Sequence, residues 1–266
     1  TISDIFLEDD THLLLATDNG ISRFNMETES FVSTRDPDPT LGENGNRIGV
    51  IIKDGKGNIW MGDRGTGLRC LPAGSPFDGE QFIYIRNDPT DGKSLSNDAV
   101  TSIFEDDLGQ IWVGTYYGLN RLDSFRVNAK DTSFYFKRYG SELGWLTQIF
   151  TAIRQDQNGF LWVGSIGGIY RFDPDAMDIR HFVVPDGLPS DLVVNNGCQW
   201  GADGELYFAM RSGVAWFDPS AVAKAAAPPP KPILTEFLLF NEKVPTAPLA
   251  EADAKLMLDK EVPYLD

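Results

Sequence analysis

Short stretches in which apolar and polar residues alternate recur along the chain, each about four to six residues long and bounded by Gly, Asp or Asn. This is the period of a half-buried strand rather than of a helix. The succession is clearest between Val100 and Tyr139. There the pattern predicts strands over Val100–Glu105, Ile111–Thr115, Gly118–Leu122 and Phe134–Tyr139. Asp-x-x-Gly segments such as Asp106–Gly109 and Asp156–Gly159 suit the hairpins between strands, because Gly takes a positive φ without steric cost. Helical periodicity is confined to weak hints near the C-terminus.

The alternation is organised into a repeat. Residues 51–71, 103–123 and 153–173 are three clear copies of one pattern, and 5–25 and 198–218 are looser ones. Alignment places Leu14, Trp60, Trp112, Trp162 and Tyr207 in one column, and Gly57, Gly109, Gly159 and Gly204 in another, with Thr11 as the exception. The aromatic column recurs every ~48 residues, and four short strands per unit at that period are the signature of a β-propeller blade. The fold class expected is therefore all-β, with blades at about 1–47, 48–99, 100–148, 149–195 and 196–223. An Ala/Pro linker follows at 224–232, which should be extended and stiff.

The repeat D-x-x-G-x-[IL]-W-[VM]-G-x(3–4)-G-[LI]-x-R-[FL]-D, best kept in the third and fourth copies, resembles the two-component regulator propeller repeat. The resemblance covers roughly residues 1–218. The first copy lacks the Trp, the second Gly and the turn Gly; the fifth has Tyr207, Ala209 and Trp216 where the pattern has Trp, Gly and Arg. Such repeats build the extracytoplasmic sensor regions of bacterial hybrid histidine kinases and related diguanylate cyclases. The resemblance implies a seven-bladed propeller, of which five blades would be an arc; five blades closing alone is the alternative. It further implies that residues 233–266 begin an immunoglobulin-like Y-Y-Y sandwich, too short here to be complete at ~100 residues. A periplasmic location, a small-molecule or oligosaccharide ligand, a homodimer in the full receptor, and no cofactor are also what it implies. The Pro-rich linker would then couple propeller to output.

Charge narrows the partners. With 23 Lys and Arg against 39 Asp and Glu, the net charge is −16. The basic residues are scattered, so nucleic acid and anionic membrane are not expected partners, since both need clustered cations. Within this segment no run of ~18 apolar residues occurs, so any membrane attachment would come from a helix outside it. The chain starts without Met or a leader and reads as an excised segment. Cys70 and Cys198 fit no zinc spacing or disulfide framework and are expected to be buried and unpaired. No nucleophile elbow, metalloprotease motif or phosphate loop occurs. The two histidines, His12 in a hairpin and His181 in an outer strand, lie away from any candidate nucleophile, so catalysis is not expected. A protein-binding scaffold, and less readily a propeller lyase, are the competing functions.

In a propeller, the loops joining strands two and three share one face with those joining one blade to the next. The first set places Arg64, Tyr116, Tyr117 and Arg211 on a common rim, and the second adds Asn46, Asn97, Trp145 and Asn195. Exposed rings beside Arg and Asn suit a sugar-like or anionic ligand. The Trp column reads instead as packing between blades. Arg23, Arg121 and Arg171 share a further column, read as structural ion pairs with acids such as Asp123 and Asp173. The acidic turns Glu8–Asp10 and Glu105–Asp107 lack the spacing of a calcium loop and read as solvated hairpins.

Overall fold

The computed structural model describes residues 1–34, 47–78, 80–128, 131–224, 238–239 and 242–243. Residues Thr1–Val222 form one unit, built of antiparallel sheets in which consecutive strands are neighbours. Blade 1 is β1 (Ile2–Leu7), β2 (His12–Thr17), β3 (Gly20–Asn25) and β4 (Ser30–Thr34). Blade 2 is β5 (Ile48–Lys53), β6 (Ile59–Asp63), β7 (Leu68–Leu71) and β8 (Ile83–Ile85). Blade 3 is β9 (Val100–Glu105), β10 (Ile111–Thr115), β11 (Gly118–Asn128) and β12 (Asp131–Tyr139). Blade 4 is β13 (Phe150–Gln155), β14 (Leu161–Ser165), β15 (Gly168–Asp173) and β16 (Asp178–Phe182). In blade 5 the sheet is β17 (Val193–Trp200), β18 (Leu206–Met210) and β19 (Gly213–Phe217), followed by the short helix α1 (Pro219–Lys224). The second unit, Ala223–Asp266, has a two-stranded hairpin of β20 (Leu238–Leu239) and β21 (Glu242–Lys243) among its described residues. The expected linker after Lys224, and the rest of the expected sandwich, lie outside the described residues.

Blades 2, 3 and 4 have the same internal fastening, and sequence spacing sets it. The Asp that opens the Asp-x-x-Gly turn is buried rather than solvated, contrary to expectation for Asp106. Its Oδ1 accepts two backbone N–H groups of the turn, as Asp106 does from Leu108 and Gln110. Its Oδ2 accepts the indole Nε1–H six residues on: Trp60 to Asp54 at 2.7 Å, Trp112 to Asp106 at 2.7 Å, Trp162 to Asp156 at 2.8 Å. A buried indole needs such a partner, and a buried carboxylate needs several. The neighbouring acids are also engaged. Glu105 accepts from Gly55 N at 2.8 Å, and Glu8 holds Arg23 at 2.7 Å and Lys53 at 3.2 Å. In blade 5 the aromatic becomes Tyr207, and the acid moves two places along the turn to Asp203. The phenol then donates to Asp203 at 2.6 Å in an exposed pair, which raises the tyrosine pKa to about 12.

The Trp column is core, as its periodicity implied. Trp60 faces Ile103, Val113 and Phe136 of blade 3, while Trp112 packs with Tyr139 and with Phe150 and Phe172 of blade 4. Trp162 meets Cys198 and Phe208 of blade 5. A fourth apolar cluster, with Leu14, Ile51 and Met61, joins blades 1 and 2. The Gly after each Trp pair lets the next inner strand approach: a Cβ on Gly164 would stand 2.6 Å from Val193 Cγ1. Of the Arg column, Arg121 pairs with Asp123 at 2.9 Å as expected, but Arg23 pairs with Glu8, and Arg171 lies over the Phe160 ring at 4.6 Å. Cys70 and Cys198 are buried and free, their thiols pushed up by desolvation.

The five blades encircle one axis, and the first and last meet at a fifth seam of a different kind. Ile5 holds the register position of Ile51, Ile103 and Ile153. Those three are at most 1% exposed, whereas Ile5 is 58% exposed. Opposite it, Val214 and Trp216 of β19 are also exposed, and a cavity of about 820 Å³ opens between the two faces. The meeting is made by polar atoms. In β17 four residues lie between the positions paired with Met210 and Phe208, where β13 has two between the corresponding partners. This two-residue bulge carries Asn196 at φ 53°, and its Nδ2–H donates to Asp4 Oδ2 at 2.9 Å. The same carboxylate accepts Ile51 N at 3.0 Å and Ile5 N at 2.9 Å, tying blades 1, 2 and 5 together.

Candidate functional site

The hairpins between second and third strands are locally determined. In blades 1, 3 and 4, the hydroxyl at the end of the second strand accepts the N–H two residues on and donates to the Gly carbonyl three residues on. For Thr115 these bonds, from Tyr117 N and to Gly118 O, are both 3.0 Å. Gly118 has φ 120°, which an L side chain rarely adopts. The turn so fixed holds Tyr116 and Tyr117 outward, both exposed. In blade 2 the hydroxyl is replaced by Asp63, whose Oδ1 accepts from Thr66 N at 3.0 Å. Asp63 is buried opposite Arg69 at 3.8 Å, and desolvation raises its pKa despite that cation. Its neighbour Arg64 is exposed and makes no ion pair among the described residues.

These hairpins and the starts of the inner strands share one end of the axis. There a depression of about 520 Å³ brings Arg64, Tyr116 and Asn195 together, from blades 2, 3 and 5. Its wall is apolar, with Ile149, Ile166 and Val194 from blades 4 and 5. Thr151 also lines it, buried, with a hydroxyl that has no hydrogen-bond partner among the described residues. Its counterpart Thr101 donates to the Phe150 carbonyl of the next blade. Beside this depression lies a smaller one of about 310 Å³, lined by Arg64 again and by Arg47, which pairs with Asp18 at 3.6 Å.

The other expected rim residues distribute differently. Tyr117 and Arg211 are exposed on their hairpins but do not line the depression. The Asn97 side chain accepts the Ala99 backbone N–H at 2.8 Å and so shapes its own turn. Trp145 is not a rim residue: it is 6% exposed and packs edge-on against Phe150 at 4.8 Å and Tyr170 at 5.0 Å. Its ring is large and apolar enough to fill the gap between blades 3 and 4, which sequence position alone did not reveal. Asn195 sits within the β17 bulge rather than in a connecting loop. Asn46 lies outside the described residues. Both histidines are engaged structurally. His12 bonds Asp9 and Asn25, and His181 stacks on Tyr170 at 4.1 Å while its Nε2 bonds the Gly167 carbonyl at 2.6 Å.

Sequence reasoning missed Thr151 and the aliphatic wall, because their strand pattern is that of ordinary core positions. The cavity of about 820 Å³, at the opposite end of the axis and running into the fifth seam, is lined by none of the candidate residues. It mixes Asp4 and Glu105 with Lys53 and Arg154.

The profile of the family described as "Two component regulator propeller" matches residues 94–117 and 144–167. No curated protein sequence matches the chain. Among solved structures, the extracellular domain of a putative hybrid two-component system from B. thetaiotaomicron is 18% identical with a TM-score of 0.69, covering 92% of this chain and 32% of that one. A second such domain from the same organism is 22% identical with a TM-score of 0.65, covering 82% and 30%. Virginiamycin B lyase from Staphylococcus aureus is 16% identical with a TM-score of 0.56, covering 80% and 68%. At these identities the likeness is one of fold. The chain spans about a third of the length of the two-component system domains.

Proposed function

We propose that this chain, which carries two-component regulator propeller repeats, is the ligand-sensing propeller of an extracytoplasmic bacterial receptor. The ligand is a small molecule or an oligosaccharide unit. The observation that carries this reading is the convergence of Arg64, Tyr116 and Asn195, from three blades, on one depression at the mouth of the axis. A guanidinium, a phenol and an amide beside aliphatic walls can grip the polar groups of a ligand while burying its carbon face. At about 520 Å³ the depression is in the size range of small-molecule sites. The S. aureus lyase has the same fold, but among the described residues no histidine and no carboxylate lines this depression, which supports binding without turnover. Binding signals only if it favours one receptor arrangement over another, and a few kcal/mol of difference is enough.

The test is a thermal-shift screen of the chain against mono- and oligosaccharides, amino acids and small metabolites, with product analysis of every hit. A hit recovered intact, whose shift disappears in Tyr116→Ala and Asn195→Ala, supports the reading. A ligand at about 100 times its Kd adds roughly 2.7 kcal/mol, a shift of several degrees. Conversion of the hit, or no hit on folded protein, would overturn it.

A further inference from the structure

Resting on that reading of the site, we infer that the ligand of the Arg64 depression is a small carboxylate with an apolar body, held by an Arg64–carboxylate pair. Among the described residues, Arg64 is the one charged residue lining the depression. A chain of net charge −16 repels anions at long range, so a cation with no ion-pair partner among the described residues is a local exception to the protein's field. The neighbouring Arg47 shows the usual arrangement, paired with Asp18 at 3.6 Å, whereas Arg64 has no ion-pair partner among the described residues. Its side chain passes over Gly49, where a Cβ would stand 3.6 Å from Nε, and so runs between the two depressions. The guanidinium fork matches a carboxylate bidentately, and an exposed, unpaired fork is pre-formed for that purpose.

The rest of the lining is neutral. Tyr116 and Asn195 can donate to the same carboxylate or to a neighbouring oxygen. Ile149, Ile166 and Val194 offer an aliphatic wall that is partly exposed at Ile166 and Val194. The Thr151 hydroxyl, 2% exposed and without a hydrogen-bond partner among the described residues, is an independent sign. A buried hydroxyl in a wall otherwise satisfied has a free donor and acceptor for a polar group on the ligand's body. The opposite cavity lacks this character, since its cations Lys53 and Arg154 stand among the acids Asp4 and Glu105.

The probes are benzoate, cyclohexanecarboxylate and hexanoate, each with its neutral amide, titrated by NMR chemical-shift mapping and thermal shift at low ionic strength. The expected result is that at least one carboxylate binds with shifts confined to the hairpin end of blades 2 to 5, and that its amide binds at least tenfold more weakly. Arg64→Gln should weaken the carboxylate at least tenfold. Arg211→Gln, which removes a cation from the same rim outside the depression, should change it less than twofold. Equal binding of acid and amide, carboxylate binding that survives Arg64→Gln, or no binding of any carboxylate overturns the inference. A neutral saccharide that binds in the broader screen, and whose affinity is unchanged in Arg64→Gln, would overturn it while leaving the sensor reading in place.

Discussion

Four seams of this propeller are built alike and the fifth is not. Between blades 1 and 2, 2 and 3, 3 and 4, and 4 and 5, an inner-strand residue (Ile51, Ile103, Ile153 or Cys198) is sealed against the preceding blade. Across the seam between blades 5 and 1 the equivalent Ile5 stands 58% exposed, facing Val214 rather than a packed sheet. Among the described residues, what joins those blades is the Asn196–Asp4 hydrogen bond. The lesson is that a ring of repeats can meet by polar contact without gaining the apolar burial that stabilises its other joints. Burial is worth ~25 cal/mol per Å², whereas a single hydrogen bond nets only about 1 kcal/mol. The fifth seam is therefore the weak joint, and local opening should begin there.

The comparison is broken or sharpened most strongly by one tryptophan on each kind of seam. Trp162→Ala should destabilise by ~3–5 kcal/mol, because it empties a packed seam and strips Asp156 of its indole donor. Trp216→Ala, on the open seam, should cost less than about 0.5 kcal/mol. Equal losses in denaturant unfolding would mean that the fifth seam is packed after all. Next in size, Gly164→Ala should cost ~1–3 kcal/mol, since its Cβ would press on Val193 at 2.6 Å. Asn196→Ala removes one bond across the fifth seam and should cost ~1 kcal/mol. Its clearer readout is hydrogen exchange: amides of β1 and β19 should exchange faster than in the parent, while those of β9 and β13 stay unchanged.

The smallest expected effect is one of pH. Burial raises the Asp4 carboxyl above its ordinary value of 3.8, against the hydrogen bonds from Ile51, Ile5 and Asn196 that favour the charged form. In the window just above pH 3.8, the folded chain keeps a proton that the unfolded chain has released. This contribution to stability therefore falls as pH rises through that window. Asp4→Asn should flatten that slope in thermal unfolding between pH 4 and 6. An unchanged slope would place the titrating group elsewhere.

Much of the fold was legible because repetition multiplies weak local signals. One Asp-x-x-Gly turn is ambiguous, but the same turn at Asp54, Asp106 and Asp156 with a Trp six residues on specifies a hairpin in register. The turn Asp carried more information than its acidity suggested: its fixed spacing to Trp was the signal of a buried hydrogen bond. The candidate site was half legible. Arg64 and Tyr116 are exposed by turn geometry that the sequence specifies locally. Trp145 was misplaced because its burial depends on which side chains the adjoining blade presents. Thr151 and the aliphatic wall carry no sequence mark that separates them from core.

Strand period, hairpin chemistry, the Trp–Asp fastening and the outward aromatics follow from the sequence alone, because each depends on residues fewer than about ten positions apart. The tertiary structure alone decided three things. It showed which rim residues share a depression, that the β17 bulge brings Asn196 to Asp4 across 192 positions of sequence, and that one seam of five stays open. Each of these depends on how successive blades rotate about the axis. That rotation is set by side-chain volumes at the seams, summed around the ring, and no local stretch of sequence contains the sum.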